Sequence, residues 1–485
     1  MAASSQGTRS IVGGLVWLHR WTGLLVCLFF SLWFASGAVM VFEPFPSLPV
    51  GDRLSHGELL DPSAITVSPA QALAARPDAD SLIARARGGQ PVYLLGKSNL
   101  SPVVVDARTG RTLGPIGAES AGRIAQAFGR AKPRTIDEDV EYDQWIVHEG
   151  FAAGRPYHRI TLDDSAGTVL YVSAMTGEVR QKTTRQQRVL NSVGAVPHWL
   201  YWTSIRQHWS FWDSLVWWIS LLALASAILG FILGVYRYLQ SRARGGSGWR
   251  VYVSWWRWHH VLGLTAGVFL IGWVLSGWLS MDHGRLFSRG AAGAAAATAM
   301  SGASLSSIAD GVSVEALAAS GPVASIQLRA IGGKGFLQAL MQNGVSQVRI
   351  PGAPPRKSLP DEWLLAGLRS AFPHGETIRI ANAVPGDLYS MAEELPEDAR
   401  LYLVGSTEPH RVYVDGATGE ILADMDASRR AYAWVYYALH AYKVPVLAAR
   451  DWLRIPLMLL LLAGGLALSV TGVVVAYRRL RSTLA

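Results

Sequence analysis

Four apolar runs, separated by two long polar segments, set the plan of this chain. The runs cover 11–42, 214–236, 258–280 and 455–477, and each is long enough for a membrane helix, which needs about 20 residues. The segments 43–191 and 281–430 mix alternating and helical periodicity, as α+β domains do. Aromatic stretches at 192–213 and 431–454 precede the second and fourth runs and predict interfacial helices. What remains is a short terminus at 1–10, a basic loop at 237–257 and a tail at 478–485. The order span, outer segment, aromatic lead-in, span occurs twice. The expected fold class is a membrane protein with four transmembrane α-helices in two tandem halves, carrying two extracytoplasmic α+β domains.

The repeat is in register. Residues 17–40 read WLHRWTGLLVCLFFSLWFASGAVM, and residues 257–280 read RWHHVLGLTAGVFLIGWVLSGWLS. His19 aligns with His259, Gly23 with Gly263, and Ser36-Gly37 with Ser276-Gly277. His198 in the first half corresponds to His440 in the second, and Tyr236-Arg237 to Tyr477-Arg478. The first run is too long for a cleaved leader, and its twin is internal.

Within the outer segments, short helices are expected at 69–75, 119–128 and 361–372. Strands are expected at 92–95, 103–105, 157–162, 169–172, 325–329, 347–350 and 400–404. Three hairpins share one signature: VVVDARTGRTL (103–113), LYVSAMTGEV (170–179) and RVYVDGATGEIL (411–422). In each, a glycine (Gly110, Gly177, Gly419) supplies the positive φ of the turn. The Ala/Gly/Ser-rich stretch 290–307 predicts a loose linker.

Charge changes the picture in one respect. The chain is basic overall, at +9, but the arginines flank the spans, so they report topology and exclude a nucleic-acid partner. The terminus 1–10, the loop 237–257 and the tail 478–485 contain no Asp or Glu. Both chain ends are therefore expected in the cytoplasm, and both large segments in the periplasm of a bacterial inner-membrane protein. A single cysteine, Cys27, excludes disulfides, iron–sulfur clusters and cysteine zinc sites within one chain.

The candidate chemistry is histidine. His19 and His259 stand at the cytoplasmic ends of the first and third spans, with His260 as the alternative inner residue. His198 and His440 stand just outside the second and fourth, with His208 and His283 as lower-ranked alternatives. Paired imidazoles are axial ligands of an electron-transferring b-type haem, and two pairs at opposite faces predict two haems. The bland reading of any one such residue is an interfacial anchor; two pairs in matched register favour ligation. No span carries histidines 13 or 14 residues apart, which disfavours haems stacked along one helix. His56, His148, His158, His374 and His410 read as solvated loop residues. Asp213 and Asp451 read as helix-entry charges. No nucleotide-binding loop occurs on the cytoplasmic side.

These residues resemble the PepSY-associated transmembrane family, including its iron-regulated members. The likeness rests on the LHRWTGL and WHHVLGL entries, the two Ser-Gly pairs, the DARTG, SAMTG and DGATG turns, and the His198 and Leu439-His440 segments. It covers nearly the whole chain. It implies two PepSY-like outer domains and an inner-membrane reductase with two b-type haems. Ligands would be His19, His198, His440, and His259 or His260. The implied substrate is a ferric siderophore or other ferric chelate, reduced in iron uptake. Electrons would come from a flavin, a quinol or a reductase, and membrane lipid and a second copy of the chain are the other implied partners. The reading of another class is a periplasmic binding or regulatory module, for a peptide, a protease or envelope sensing, merely anchored by the spans. A transporter is a third reading, but no span has an internal proline break or mid-membrane charge.

Overall fold

The fold was read from a computed structural model, which describes residues 2–97, 100–287, 293–373, 377–382, 388–389, 395–396, 399–405 and 410–484. Three long helices have the length and composition of spans: α1 (Ala2–Met40, apolar from Ile11), a helix at Trp209–Ala243 and a helix at Asp451–Leu484. The third apolar run forms two helices, Ser254–Thr265 and Gly267–Ser280, bent by 62°. The expectation of one unbroken span at 258–280 is thus corrected, and four spans result only if the bent pair counts as one. No proline makes the break. The Thr265 hydroxyl instead donates to the Val261 carbonyl at 3.0 Å, a bond that bends helices, and Gly267 stands where the first copy has Cys27.

The four runs form a ring. The first and the bent third each pack on the second and the fourth. Val26, Phe30, Phe34, Leu224, Leu270 and Trp273 fill its centre. Leu25 and Leu28 are each 65% exposed and Leu460 is 70% exposed, so the outer surface is apolar and suits lipid.

In chain order the strands are β1 (Ser81–Arg87), β2 (Gln90–Lys97), β3 (Leu100–Asp106), β4 (Thr112–Leu113), β5 (Pro133–Val140), β6 (Tyr157–Leu162), β7 (Val169–Ser173) and β8 (Val179–Thr183) in the first segment. The second holds β9 (Ser325–Ile331), β10 (Lys334–Leu340), β11 (Ser346–Arg349), β12 (Thr377–Asn382), β13 (Arg400–Val404), β14 (His410–Val414) and β15 (Ile421–Met425). The three hairpin signatures form as read. In β3–β4 and β14–β15, Asp106 and Asp415 accept two backbone N–H groups each, and Gly110, Gly177 and Gly419 have φ of +74°, +69° and +71°.

Segments 43–191 and 281–430 do not close as two separate units. Each owns a four-stranded sheet, β5-β6-β7-β8 and β12-β13-β14-β15, but a seven-stranded sheet runs β11-β10-β9-β1-β2-β3-β4 through both. The seam pairs β1 with β9 antiparallel, setting Leu82 opposite Leu328 and Ala84 opposite Ile326. These two strands are repeat equivalents, since each is followed by a Gly-Gly turn with positive φ, Gly88-Gly89 and Gly332-Gly333. One core lies under the seam: Leu82, Tyr93 and Leu95 pack with Ile326, Leu328 and Leu337. Burial of a continuous apolar face across both segments joins them without a linker.

The stretch 290–307 is likewise corrected where it is described, residues 290–292 lying outside the described residues. Ala294–Ser301 is a helix with Met300 in the second sheet's core, and the carbonyls of Met300 and Ser301 accept the Gly332 and Gly333 N–H groups. Alanine is the best helix former, and the single large apolar side chain gives the helix its anchor.

Glu178 fastens these parts to one another. Its carboxylate meets Arg53 at 3.5 Å, Arg85 of β1 at 3.3 Å and Arg180 of β8 at 3.3 Å. Burial alone would raise its pKa; Arg85, Arg180 and Arg53 outweigh burial and hold it below the usual 4.5. A depressed carboxyl stabilises the fold above its unfolded pKa, and this contribution fades as pH falls through the folded value. Thermal unfolding of the full chain should therefore drop in midpoint as pH falls below 4.5. Glu178→Gln should cost about 2 kcal/mol at pH 7 and blunt that pH dependence. An unchanged midpoint in the variant would remove Glu178 as the fastener.

Candidate functional site

Four histidines meet in two pairs. His19 on α1 faces His259 on the Ser254–Thr265 helix, with ring centroids 6.5 Å apart and planes at 28°. His198, ending the short helix Ala195–His198, faces His440, ending a π-helix at Ala433–His440, again at 6.5 Å but with planes at 72°. Ser36 bonds the His198 ring and stands 17 residues past His19 on the same helix. A rise of ~25 Å thus separates the two pairs.

Hydrogen bonds fix the tautomer of every ring. His19 Nδ1–H donates to the Ser226 carbonyl at 3.0 Å. The Ser36 hydroxyl gives its proton to the Leu32 carbonyl, so its oxygen can only accept from His198 Nδ1–H, at 3.1 Å. Ser276 does the same between the Trp273 carbonyl and His440 Nδ1–H, at 3.0 Å. Thr471 does it between the Leu468 carbonyl and His259 Nδ1–H, at 3.2 Å. Among the described residues Nε2 of each ring makes no hydrogen bond, so each keeps its lone pair. This is the arrangement of metal-binding imidazoles, whose other nitrogen is held by a neighbour.

Glycines make the room. A Cβ on Gly37 or Gly277 would lie 3.4 Å from Cε1 of His198 or His440, and one on Gly472 would lie 3.4 Å from Cε1 of His259. On Gly230 it would come within 2.5 Å of His19 Cε1. The repeated Ser-Gly pair therefore has a physical meaning. The serine aims the outer ring and the glycine packs against it. Chain turns complete the cradle: Leu200 and Tyr442, each two residues past its histidine, adopt φ of +52° and +53°. The Trp199 carbonyl accepts from Trp212 Nε1 at 2.8 Å, and the Ala441 carbonyl from Arg454 at 3.3 Å. A left-handed non-glycine residue persists only where its surroundings hold it.

The other candidates are placed elsewhere. His260 is buried next to the inner pair, but its Nε2–H donates to the Gly248 carbonyl at 3.0 Å and its ring meets Tyr252. His283 pairs with Asp213 at 3.0 Å against Trp217. His208 is exposed beside Gln207. His158 is not a solvated loop residue: it lies buried in β6 and donates to the Ile116 carbonyl at 2.8 Å. His410 meets Asp424 at 3.2 Å. His374 lies outside the described residues. Sequence reading missed Ser226, Thr471, Gly230 and Gly472; of these only the two glycines recur, one in the second span and one in the fourth. It also missed Arg206, buried against Tyr201, Trp209 and Trp212.

A cavity surrounds the inner pair. Its volume is about 260 Å³, near the lower end of the ~300–1,000 Å³ of ordinary small-molecule pockets. Among the described residues no three His, Cys, Asp or Glu gather as a metal cluster. Each pair thus brings two imidazoles together without a third His, Cys, Asp or Glu among the described residues.

No curated protein matches this chain. The family described as the PepSY-associated TM region matches residues 16–479, which take in both histidine pairs, every apolar run and all three sheets. This chain belongs to that family, as a multi-pass membrane protein with α+β parts between its apolar helices.

Proposed function

We propose that the protein is a haem-dependent reductase of the bacterial inner membrane that delivers electrons to a periplasmic ferric chelate, such as a siderophore, in iron uptake. The observation that carries this reading is the pairing of four tautomer-fixed imidazoles at 6.5 Å. Two imidazoles held this close would hold one iron between them. The residues present fit a haem at each pair: His19 and His259 would hold one, and His198 and His440 the other. A bis-imidazole haem, when bound, takes up and releases one electron with no coordination position open to substrate.

The protein's own residues do the rest. Ser226, Thr471, Ser36 and Ser276 hold the proton of each ring on Nδ1 and orient the ring. Phe30, Phe34 and Trp273 exclude water from the middle of the bundle. The arginine-rich end would face the cytoplasm and the sheets the periplasm, by the positive-inside rule. Reduction loosens the iron because hard oxygen chelators prefer Fe(III) to Fe(II). The electron donor would be a flavin, a quinol or a partner protein.

The test is the absorbance spectrum of the purified full chain, oxidised and dithionite-reduced, with haem counted as pyridine haemochrome. Two low-spin b-type haems per chain are expected, followed by reduction of ferric chelates. A haem-free protein from cells with ample haem overturns the reading and leaves an anchored binding module.

A further inference from the structure

We propose that Arg237 and Arg479, assisted by Arg20, form a carboxylate-binding rim that anchors the two acid groups of the macrocycle held by His19 and His259. This rests on the haem reading above and deepens it.

The two arginines occupy equivalent places. Gly230 lies against the His19 ring and Gly472 against the His259 ring. Arg237 and Arg479 each stand seven residues further on. Seven residues are two helical turns, so each arginine shares a helix face with its glycine, ~10 Å nearer the arginine-rich end. This glycine register also corrects the repeat alignment: Arg237 corresponds to Arg479, not to Arg478. Arg20 follows His19 directly, and all three line the inner cavity.

Topology alone does not account for this placement. Arg242, Arg244, Arg478 and Arg481 serve a positive-inside bias equally well, and none of them lines the cavity. Residues 1–20, 237–257 and 478–485 contain no Asp or Glu. Arg237 donates to Gln240 at 3.3 Å, which engages one of the five donors of its guanidinium. The cavity walls are otherwise mostly apolar, with Leu24, Phe30, Phe231 and Leu270 among them. The ligand this combination suits is a planar apolar body, bound by imidazoles at depth, with anionic groups at one edge. Two arginines flanking one mouth match two carboxylates by charge and by fork geometry.

The experiment uses the full chain with His198→Ala and His440→Ala, so that only the inner pair is available, purified without haem. It is titrated with haem and, separately, with haem dimethyl ester, whose carboxylates are blocked, and binding is followed by absorbance. Haem should bind at least about tenfold more tightly than the ester, the size of one charge-assisted hydrogen bond. Arg237→Gln with Arg479→Gln should erase that preference by weakening haem alone, and Arg→Lys at both positions should restore most of it. Equal binding of haem and ester by the parent, or a preference that survives the Gln changes, overturns the rim. Uptake of neither compound removes the inner haem site and the rim together, and is told apart from failure of the rim alone by the ester, which needs only the histidines.

Discussion

His259→Ala should leave one haem per chain where two are proposed for the unaltered protein, and His260→Ala should leave both. The residues are adjacent, so on a helix their side chains diverge by about 100°. Only one of them can face α1. His259 does, at 6.5 Å from His19, with Nδ1 held by Thr471. The Nε2 of His260, the atom a metal would need, is engaged by the Gly248 carbonyl. Loss of His260 removes that bond and the Tyr252 contact, which costs about 1 kcal/mol of stability and no ligand. Pyridine haemochrome counting reads both results. Two haems in His259→Ala with one in His260→Ala would falsify the assignment and make the loop at Gly248 a gate for the true ligand.

The parts of this molecule that depend on short stretches of chain were legible in the sequence. Apolar length located the long helices. The Asp/Ser-x-x-Thr-Gly signature located three hairpins, because a positive φ needs glycine wherever the turn occurs. Strands at 157–162 and 400–404 were read with the bounds the structure gives them. The histidine pairs were legible as pairs, since the repeat imposes the same place in each half.

What was not legible depends on partners far away in sequence. β1 reads SLIARAR, with arginines at alternate late positions, and was not read as a strand at all. It lies at the centre of the seven-stranded sheet because β9, in the other segment, lies next to it. No local pattern announces such a partner. The Ala-rich stretch looked like a linker because its composition is featureless, but one methionine and a Gly-Gly turn dock it. The bend in the third run comes from a threonine and a glycine, weaker signals than proline. The choice between His259 and His260 needed the helix face, which follows from packing against α1.

Gly230→Val should abolish the proposed inner haem, whereas Gly472→Ala should keep both proposed haems and slightly stabilise the protein. The two glycines are repeat equivalents, and both lie against a histidine ring, but the spacing differs. A Cβ at Gly472 would sit 3.4 Å from His259 Cε1, close to ordinary contact. Alanine fits there with a small shift, and replacing a mid-helix glycine by alanine gains up to about 1 kcal/mol of helix propensity. A Cβ at Gly230 would sit 2.5 Å from Cε1 and 3.1 Å from both nitrogens of His19. The ring must then leave its place, and the bond from Nδ1 to the Ser226 carbonyl goes with it. Overpacking of this kind costs typically 1–3 kcal/mol, too little to unfold a bundle of this size but enough to break ligation that tolerates a few tenths of an ångström. Gly23→Ala is the control, since its nearest neighbour, the Ser226 hydroxyl, is 3.7 Å away; it should retain two haems. If Gly230→Val carried two haems with an unaltered spectrum, His19 would not occupy this position in the working protein, and its pairing with His259 would have to be abandoned.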